Sequence, residues 1–216
     1  MKGLETVYKK HHKSRGDGFA ILLSERGSFL RKHIGSGKTV LDVGCRDGQL
    51  TGEYVAGNDV TGADIDSDAL SRAENNFAIK TLHVDLNEKW TFESEKYDVV
   101  VACEFLEHIY FPERIMQEVQ AVLKPGGAFV GTIPHAFSLQ SRIKFLFGSK
   151  KGTPLEDPTH INHFSYREFK AMLERNFELI EIDTYVPPRY KLLSKLFPYL
   201  FAHDLMFAAK KVDTSN

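Results

Sequence analysis

Apolar positions recur along the 216-residue chain in two different periods. Phe19, Leu22, Leu23, Arg26, Phe29, Leu30 and His33 fall at helical spacing up to Gly35, so a helical segment is expected within residues 1–35. Short apolar runs then alternate with amphipathic stretches. Thr39–Val43, Asp59–Ile65, Ile79–Val84, Tyr97–Cys103 and Ala128–Ile133 read as strands. Those at 79–84 and 97–103 have the β-branched character of parallel strands covered on both faces. Between the strands lie helices at Gly48–Ala56, at Ser67–Asn76 with Ser67 as N-cap, and at Pro112–Leu123, which Lys124-Pro125-Gly126-Gly127 should stop. A helix at Tyr166–Arg175, a strand at Phe177–Tyr185, a proline-rich break, an amphipathic segment at Tyr190–Phe201 and a last strand at Leu205–Val212 complete the pattern.

Strands that alternate with helices imply an α/β fold, Rossmann-like, with a mostly parallel sheet and helices on both faces. The length suits one such domain over 1–216. Residues 136–165 and 187–202 fall outside the alternation and are expected to lie over the substrate side. In folds of this kind the ligand sits beyond the carboxyl ends of the strands, where the strand order reverses, so chemistry should be sought just after each strand.

Composition narrows the choice only slightly. Hydrophobic residues make up 42% and charged residues 26%, ordinary for a globular protein, and the net charge of -1 gives no general pull toward nucleic acid. Two cysteines, Cys45 and Cys103, form neither a disulfide framework nor a metal-binding pair. No apolar h-region opens the chain and no apolar run approaches the ~20 residues that span a bilayer, so a cytoplasmic protein is expected.

The strand ends carry the candidate chemistry. Asp42-Val43-Gly44-Cys45-Arg46-Asp47-Gly48 is a glycine turn leading off the first strand. Its Gly44-x-x-x-Gly48 spacing differs from the G-x-G-x-x-G that cradles a pyrophosphate, and Asp42 suits a ligand with positive charge. Asp64 ends the second strand, where a carboxylate can accept from both hydroxyls of a ribose. Helix capping is the competing role at this place, and Asp66 or Ser67 can fill it. Asp85 and Leu86 follow the third strand and offer an acceptor beside an apolar surface, as an adenine requires. The fourth strand runs into Cys103-Glu104-Phe105-Leu106-Glu107-His108, and Cys45 and Cys103 should be neighbours that line a pocket.

In order and spacing, Val40–Leu50, Gly62–Asp66, Val84–Leu86, Tyr97–His108 and Leu123–Pro134 resemble the motifs of class I S-adenosylmethionine-dependent methyltransferases. The likeness is greatest to the small-molecule enzymes of ubiquinone and menaquinone biosynthesis. It implies a seven-stranded sheet whose last strand, Leu205–Val212, is antiparallel. It also implies S-adenosylmethionine as cofactor and S-adenosylhomocysteine as product. The resemblance assigns Gly44 and Cys45, supported by Asp42 and Gly48, to the methionine end. Asp64 is assigned to the ribose, Ile65 to the adenine face, and Asp85 and Leu86 to the adenine edge. Cys103 and Leu106 would border the transferred methyl. Arg46 departs from the family pattern, which commonly has glycine there.

Methyl transfer from a sulfonium is an in-line displacement that needs alignment above all, and a base only when the acceptor is protonated. His108 is the candidate base; capping the start of a helix is an equally open role for it. His135 is a second candidate. His160 and His163 are spaced in a way that signals a metal only weakly, so no metal site is expected, and the segment should simply lead into the next helix. Basic and apolar residues mix without acids in Phe137–Lys151, and Pro187–Phe201 shows the same mixture. This suits a small-molecule or amphiphilic acceptor, lipid- or glycan-linked, and peripheral contact with an anionic membrane; ordinary lid helices are the competing explanation. The function that follows is methyl transfer, with a catalytically silent cofactor-binding scaffold as the alternative.

Overall fold

Burial of the apolar runs against both faces of one sheet organises the chain. The computed structural model describes residues 2–212. Its strands are β1 (Thr39–Val43), β2 (Asp59–Asp64), β3 (Lys80–His83), β4 (Tyr97–Cys103), β5 (Leu123–Pro134), β6 (Glu178–Tyr185) and β7 (Asp204–Lys210). They form a single sheet in the order β3-β2-β1-β4-β5-β7-β6. β1 through β5 pair in parallel, and β7 runs antiparallel between β5 and β6, as the resemblance implied. The order reverses between β1 and β4, which places the ligand crevice at their carboxyl ends.

The period-two pattern of β4 shows how the two faces are divided. Val99 and Val101 meet one core with Phe29, Leu30 and Ile34 of α2 (Leu23–Ile34) and Ala73 of α3 (Ser67–Phe77). Val100 and Ala102 point the other way, toward α4 (Pro112–Val122) and α6 (Tyr166–Asn176), where Ile115, Met116, Val119, Phe169 and Leu173 are buried. α1 (Lys2–Arg15) and α5 (Leu139–Leu146) lie outside this sandwich, as do the short α7 (Lys191–Ser194) and α8 (Pro198–Phe201).

Four local expectations are corrected. Gly48–Ala56 is not a helix: it holds one 3-10 turn, Thr51–Glu53. Gly48 has φ 75°, and a Cβ on Gly52 would lie 2.4 Å from the Phe77 ring, so these glycines serve the close approach of α3 rather than a helix. β3 is an edge strand with largely exposed side chains, not a strand covered on both faces. Asp66, not Ser67, caps α3, its carboxylate accepting from the amides of Asp68 and Ala69. The amphipathic stretch at 190–201 breaks at Lys195 and Pro198 into α7 and α8.

At the amino-terminal end of the sheet, Asp98 joins three strands. Its carboxylate accepts from the Thr39 amide at 2.8 Å, the Thr39 hydroxyl at 2.7 Å and Lys124 Nζ at 2.9 Å. These donors outweigh the effect of burial and hold its pKa at about 2, below the ordinary 3.8. A depressed folded pKa adds stability above 3.8 that is lost as pH falls through about 2. Asp98→Asn should therefore destabilise the fold at pH 7 by about 1–2 kcal/mol in urea titration. The gap to the parent protein should narrow between pH 4 and 2; a gap constant with pH would show that the carboxylate's charge is not what matters.

Candidate active site

A cavity opens where the carboxyl ends of β1, β2 and β4 meet beneath α1. Asp42, Gly44, Cys45, Asp64, Ile65, Asp85, Leu86, Cys103 and His108 all line it. Two residues of the expected set do not. Leu106 is fully buried in the core behind the cavity, and Phe105 stands at the wall instead. Gly48 is turned toward α3, where a Cβ would lie 2.9 Å from Phe77.

Each lining residue is held by local structure. Asp42, buried at the end of β1, accepts from the Thr51 hydroxyl at 2.6 Å and from the Tyr54 hydroxyl, which fastens the following loop. Burial pushes its pKa up to about 6. Gly44 has φ 76°, and a Cβ there would come within 2.9 Å of the Phe105 ring, so both conformation and space require glycine. The thiols of Cys45 and Cys103 are pushed up by burial and remain protonated, as wall residues rather than nucleophiles.

Asp64 stands at the centre of the cavity floor. Oδ2 accepts from the Arg46 amide at 2.9 Å and Oδ1 from the Asp66 amide at 2.8 Å. A carboxylate has about four acceptor positions, so these two bonds aim the group and leave capacity for a ligand's hydroxyls. Asp85 accepts from the Asn87 amide at 3.0 Å and sits with Ile65, Val84 and Leu86, which form an apolar slot beside it.

α1 closes the cavity from above. The Tyr8 hydroxyl donates to the His108 carbonyl at 3.2 Å, His12 pairs with Asp66 at 2.8 Å, and Arg15 pairs with Asp157 at 2.6 Å. Arg46 accounts for its own departure from glycine. With φ 53° it adopts the conformation glycine would, and its guanidinium donates to the carbonyls of His12, Gly16 and Phe19. It is a latch for the N-terminal segment. Sequence reasoning missed α1 as part of the site; the signal was an arginine at a glycine position, a long donor with no obvious acceptor nearby.

Beyond Cys103, buried charge accumulates. Arg26 of α2 forms a two-pronged bond to Asp204 at 2.9 and 3.0 Å and meets Glu104 Oε1 at 2.9 Å. Glu104 has φ 51°, a strained left-handed conformation for a side chain of its size. Burial and the nearby Glu104 carboxylate push Asp204 up to about 7. His108 Nδ1–H donates to the Thr159 carbonyl at 2.9 Å, and burial lowers its pKa to about 4. A neutral imidazole with that pKa is a weak base. His135 is buried, bonded to the Ala202 carbonyl at 3.0 Å, and lines neither cavity. A second cavity adjoins the first through His11, Arg15, Ile21 and Glu104 and is walled further by Pro154 and His160.

Comparisons with known proteins agree with this geometry. Residues 19–182 match the family described as a methyltransferase domain, and the chain belongs to that family. The ubiquinone biosynthesis O-methyltransferase of Coxiella burnetii (strain Dugway 5J108-111) is 35% identical over 108 residues, 47% of this chain and 46% of that protein. The chain thus spans about half the length of the curated relatives it matches. Among solved structures, the 1,6-didemethyltoxoflavin-N1-methyltransferase of Burkholderia thailandensis, with 1,6-didemethyltoxoflavin and S-adenosylhomocysteine bound, superposes with a TM-score of 0.69 at 16% identity. That match covers 97% of this chain and 88% of the other. The [4+2]-cyclase SpnF superposes with a TM-score of 0.64 at 18% identity over 91% of this chain and 85% of the other. These likenesses show the class I methyltransferase fold.

The latch makes a prediction. Arg46→Gly should keep the turn and relieve about 1 kcal/mol of backbone strain, while freeing residues 2–18. Amide hydrogen exchange should then speed up across 2–18 and remain unchanged in β1 and β4. Unaltered exchange in α1 would show that Tyr8, His12 and Arg15 suffice to hold it.

Proposed function

We propose that the protein transfers a methyl group from S-adenosylmethionine to a small-molecule or amphiphilic acceptor. The observation that carries this reading is the convergence of Asp64, Asp85 and the Gly44 turn on one cavity at the point where strand order reverses. The donor set suits that cofactor. Asp64 has acceptor positions for ribose hydroxyls, and Asp85 with Ile65 and Leu86 matches an adenine's amino edge and face. The cavity around Gly44 and Cys45 adjoins buried acids, which favour a cationic methionine end over a pyrophosphate. When bound, the cofactor supplies an electrophilic methyl. The protein's own part is to aim it: Asp42 holds the Gly44 loop, Cys103 shapes the wall, and α1 keeps water out. The acceptor would approach through the second cavity, which meets the first at Glu104.

The SpnF superposition favours keeping a second reading, binding without methyl transfer, because this fold also carries other chemistry. Calorimetric titration tests the cofactor assignment on which both readings rest. S-adenosylhomocysteine should bind and NADH should not; no heat with the former would end the cofactor assignment. Asp64→Ala should weaken S-adenosylhomocysteine by about 1.5–3 kcal/mol, and an unchanged affinity would mean the ribose is held elsewhere.

Surface chemistry supports an amphiphilic acceptor. Leu146 and Phe147 at the end of α5 are 81% and 80% exposed, and Leu192 and Leu196 near α7 are 78% and 76% exposed. Arg142, Lys150, Lys151, Lys191 and Lys195 lie in the same segments. No helix among the described residues is long and apolar enough to cross a membrane, so any such contact would be peripheral. Vesicles containing anionic lipid should retain the protein in co-sedimentation, and Phe147→Asp with Leu196→Asp should release it. Recovery of the parent protein in the supernatant at low salt would rule the contact out.

A further inference from the structure

Glu107 is fully buried, and neither of its carboxylate oxygens has a hydrogen-bond partner. Buried carboxylates are almost always satisfied, so one left bare calls for a partner. Its charged neighbours are Glu104, Arg26 and Asp204, and two imidazoles flank it as well. His108 Nε2 lies 3.9 Å from Glu107 Oε1. The His160 ring stands edge-on to His108 with centroids 4.8 Å apart, and His160 Nδ1 is buried without a partner. One donor atom from each of Glu107, His108 and His160 falls within 4.8 Å of the other two.

The orientation of these groups is built in. His108 uses Nδ1 against the Thr159 carbonyl at 2.9 Å, so that nitrogen carries the proton and Nε2 keeps its lone pair. Metal-binding histidines are commonly oriented through such a bond on the far nitrogen. The segment carrying His160 is stitched to the same place. The amides of Ile161 and Asn162 both donate to the Glu107 carbonyl at 2.9 Å, and the Asn162 side chain donates to the Ile109 carbonyl. Glu104, held by Arg26 and by the Thr132 hydroxyl at 3.3 Å, lines both cavities and is a candidate fourth ligand.

We propose that Glu107, His108 and His160 bind a divalent cation that presents a hydroxyl of the acceptor to the methyl donor. Two nitrogens and a carboxylate oxygen suit Mn2+ or Zn2+ better than Ca2+. An ion with ligands at about 2.1 Å needs its donors roughly 3–4 Å apart, so small side-chain rotations complete the set. His108 lines the donor cavity and His160 the second cavity, so the ion would stand in the wall between them. Its open positions would take one or two hydroxyl oxygens, and an acceptor with adjacent hydroxyls is the class that chelates best. As a Lewis acid the ion lowers the hydroxyl's pKa, which removes the need for a strong protein base. The hydroxyl proton leaves to water. The oxygen then forms the new C–O bond as the C–S bond breaks, with that electron pair returning to sulfur. This inference rests on the methyl-transfer reading and narrows it to oxygen as the nucleophile.

The test uses the full-length protein after chelator treatment, with Mn2+ as the probe. Loss of the free-ion paramagnetic signal should show one Mn2+ bound per chain. Glu107→Gln should weaken binding ~10- to 100-fold, as should His160→Asn. Glu107→Gln should also fold at least as stably as the parent without metal, because it removes an unpaired buried acid. If that variant does not fold, His160→Asn decides the question. Saturation by Mn2+ that survives both substitutions, or no binding of Mn2+ or Zn2+ by the folded parent, would overturn the proposal. S-adenosylhomocysteine titration in parallel separates the two readings: homocysteine-ligand binding without metal binding sinks the metal site alone, and loss of both sinks the function.

Discussion

A buried guanidinium is the constraint on which the functional end of the molecule depends. Arg26 reaches from α2 through the apolar face it shares with Phe29 and Leu30 and meets Asp204 and Glu104 in the interior. Breaking one partner of such a pair is far more damaging than replacing all of it, typically by about 3–5 kcal/mol, because a charge is left in low dielectric. The pairing joins three elements that are distant in sequence: the N-terminal helix layer, the end of β4 and the start of the antiparallel β7. It also sets the position of Glu104, whose left-handed backbone is retained at the seam of both cavities.

From that anchor the site extends in two directions. Toward β1 and β2 it is a binding surface made of backbone turns and carboxylates whose free capacity faces inward. The carboxylates there are each pinned by backbone or hydroxyl donors, which makes them precise and leaves little to rearrange. Toward α1 and residues 157–163 it is made of histidines, and burial keeps His11, His108 and His160 neutral. Neutral imidazoles neither attract an acidic substrate nor serve as strong bases, but they are good ligands for metal. The two halves therefore divide the labour of the proposed reaction, one holding the donor and the other preparing the acceptor.

Arg46 shows how an exception to a motif becomes informative. At that position the backbone needs the left-handed region, which glycine occupies without strain. The arginine accepts the strain, and its guanidinium gathers three carbonyls of the N-terminal segment that would otherwise face solvent or the cavity. The closed lid and the departure from glycine are thus one feature.

The antiparallel last strand came from the family resemblance, whereas the strand-end carboxylates Asp42, Asp64 and Asp85 and the Gly44 turn were legible in the residues alone. Their placement follows from local rules: period-two burial names the strands, and a parallel sheet puts its chemistry at the carboxyl ends. Short-range reading failed where a glycine serves a neighbour rather than its own segment, as at Gly48 and Gly52, and where a β-branched run lies at an edge, as in β3. The histidine cluster was beyond it for another reason. Glu107 and His108 are adjacent in sequence, but His160 lies some fifty residues on, and the bonds that hold it there run to the Glu107 and Ile109 carbonyls. Sequence determined the alternating strands and the strand-end half of the site because these are written in local periodicity and spacing. Only tertiary structure decided the histidine half, because its members meet through contacts that no local pattern encodes.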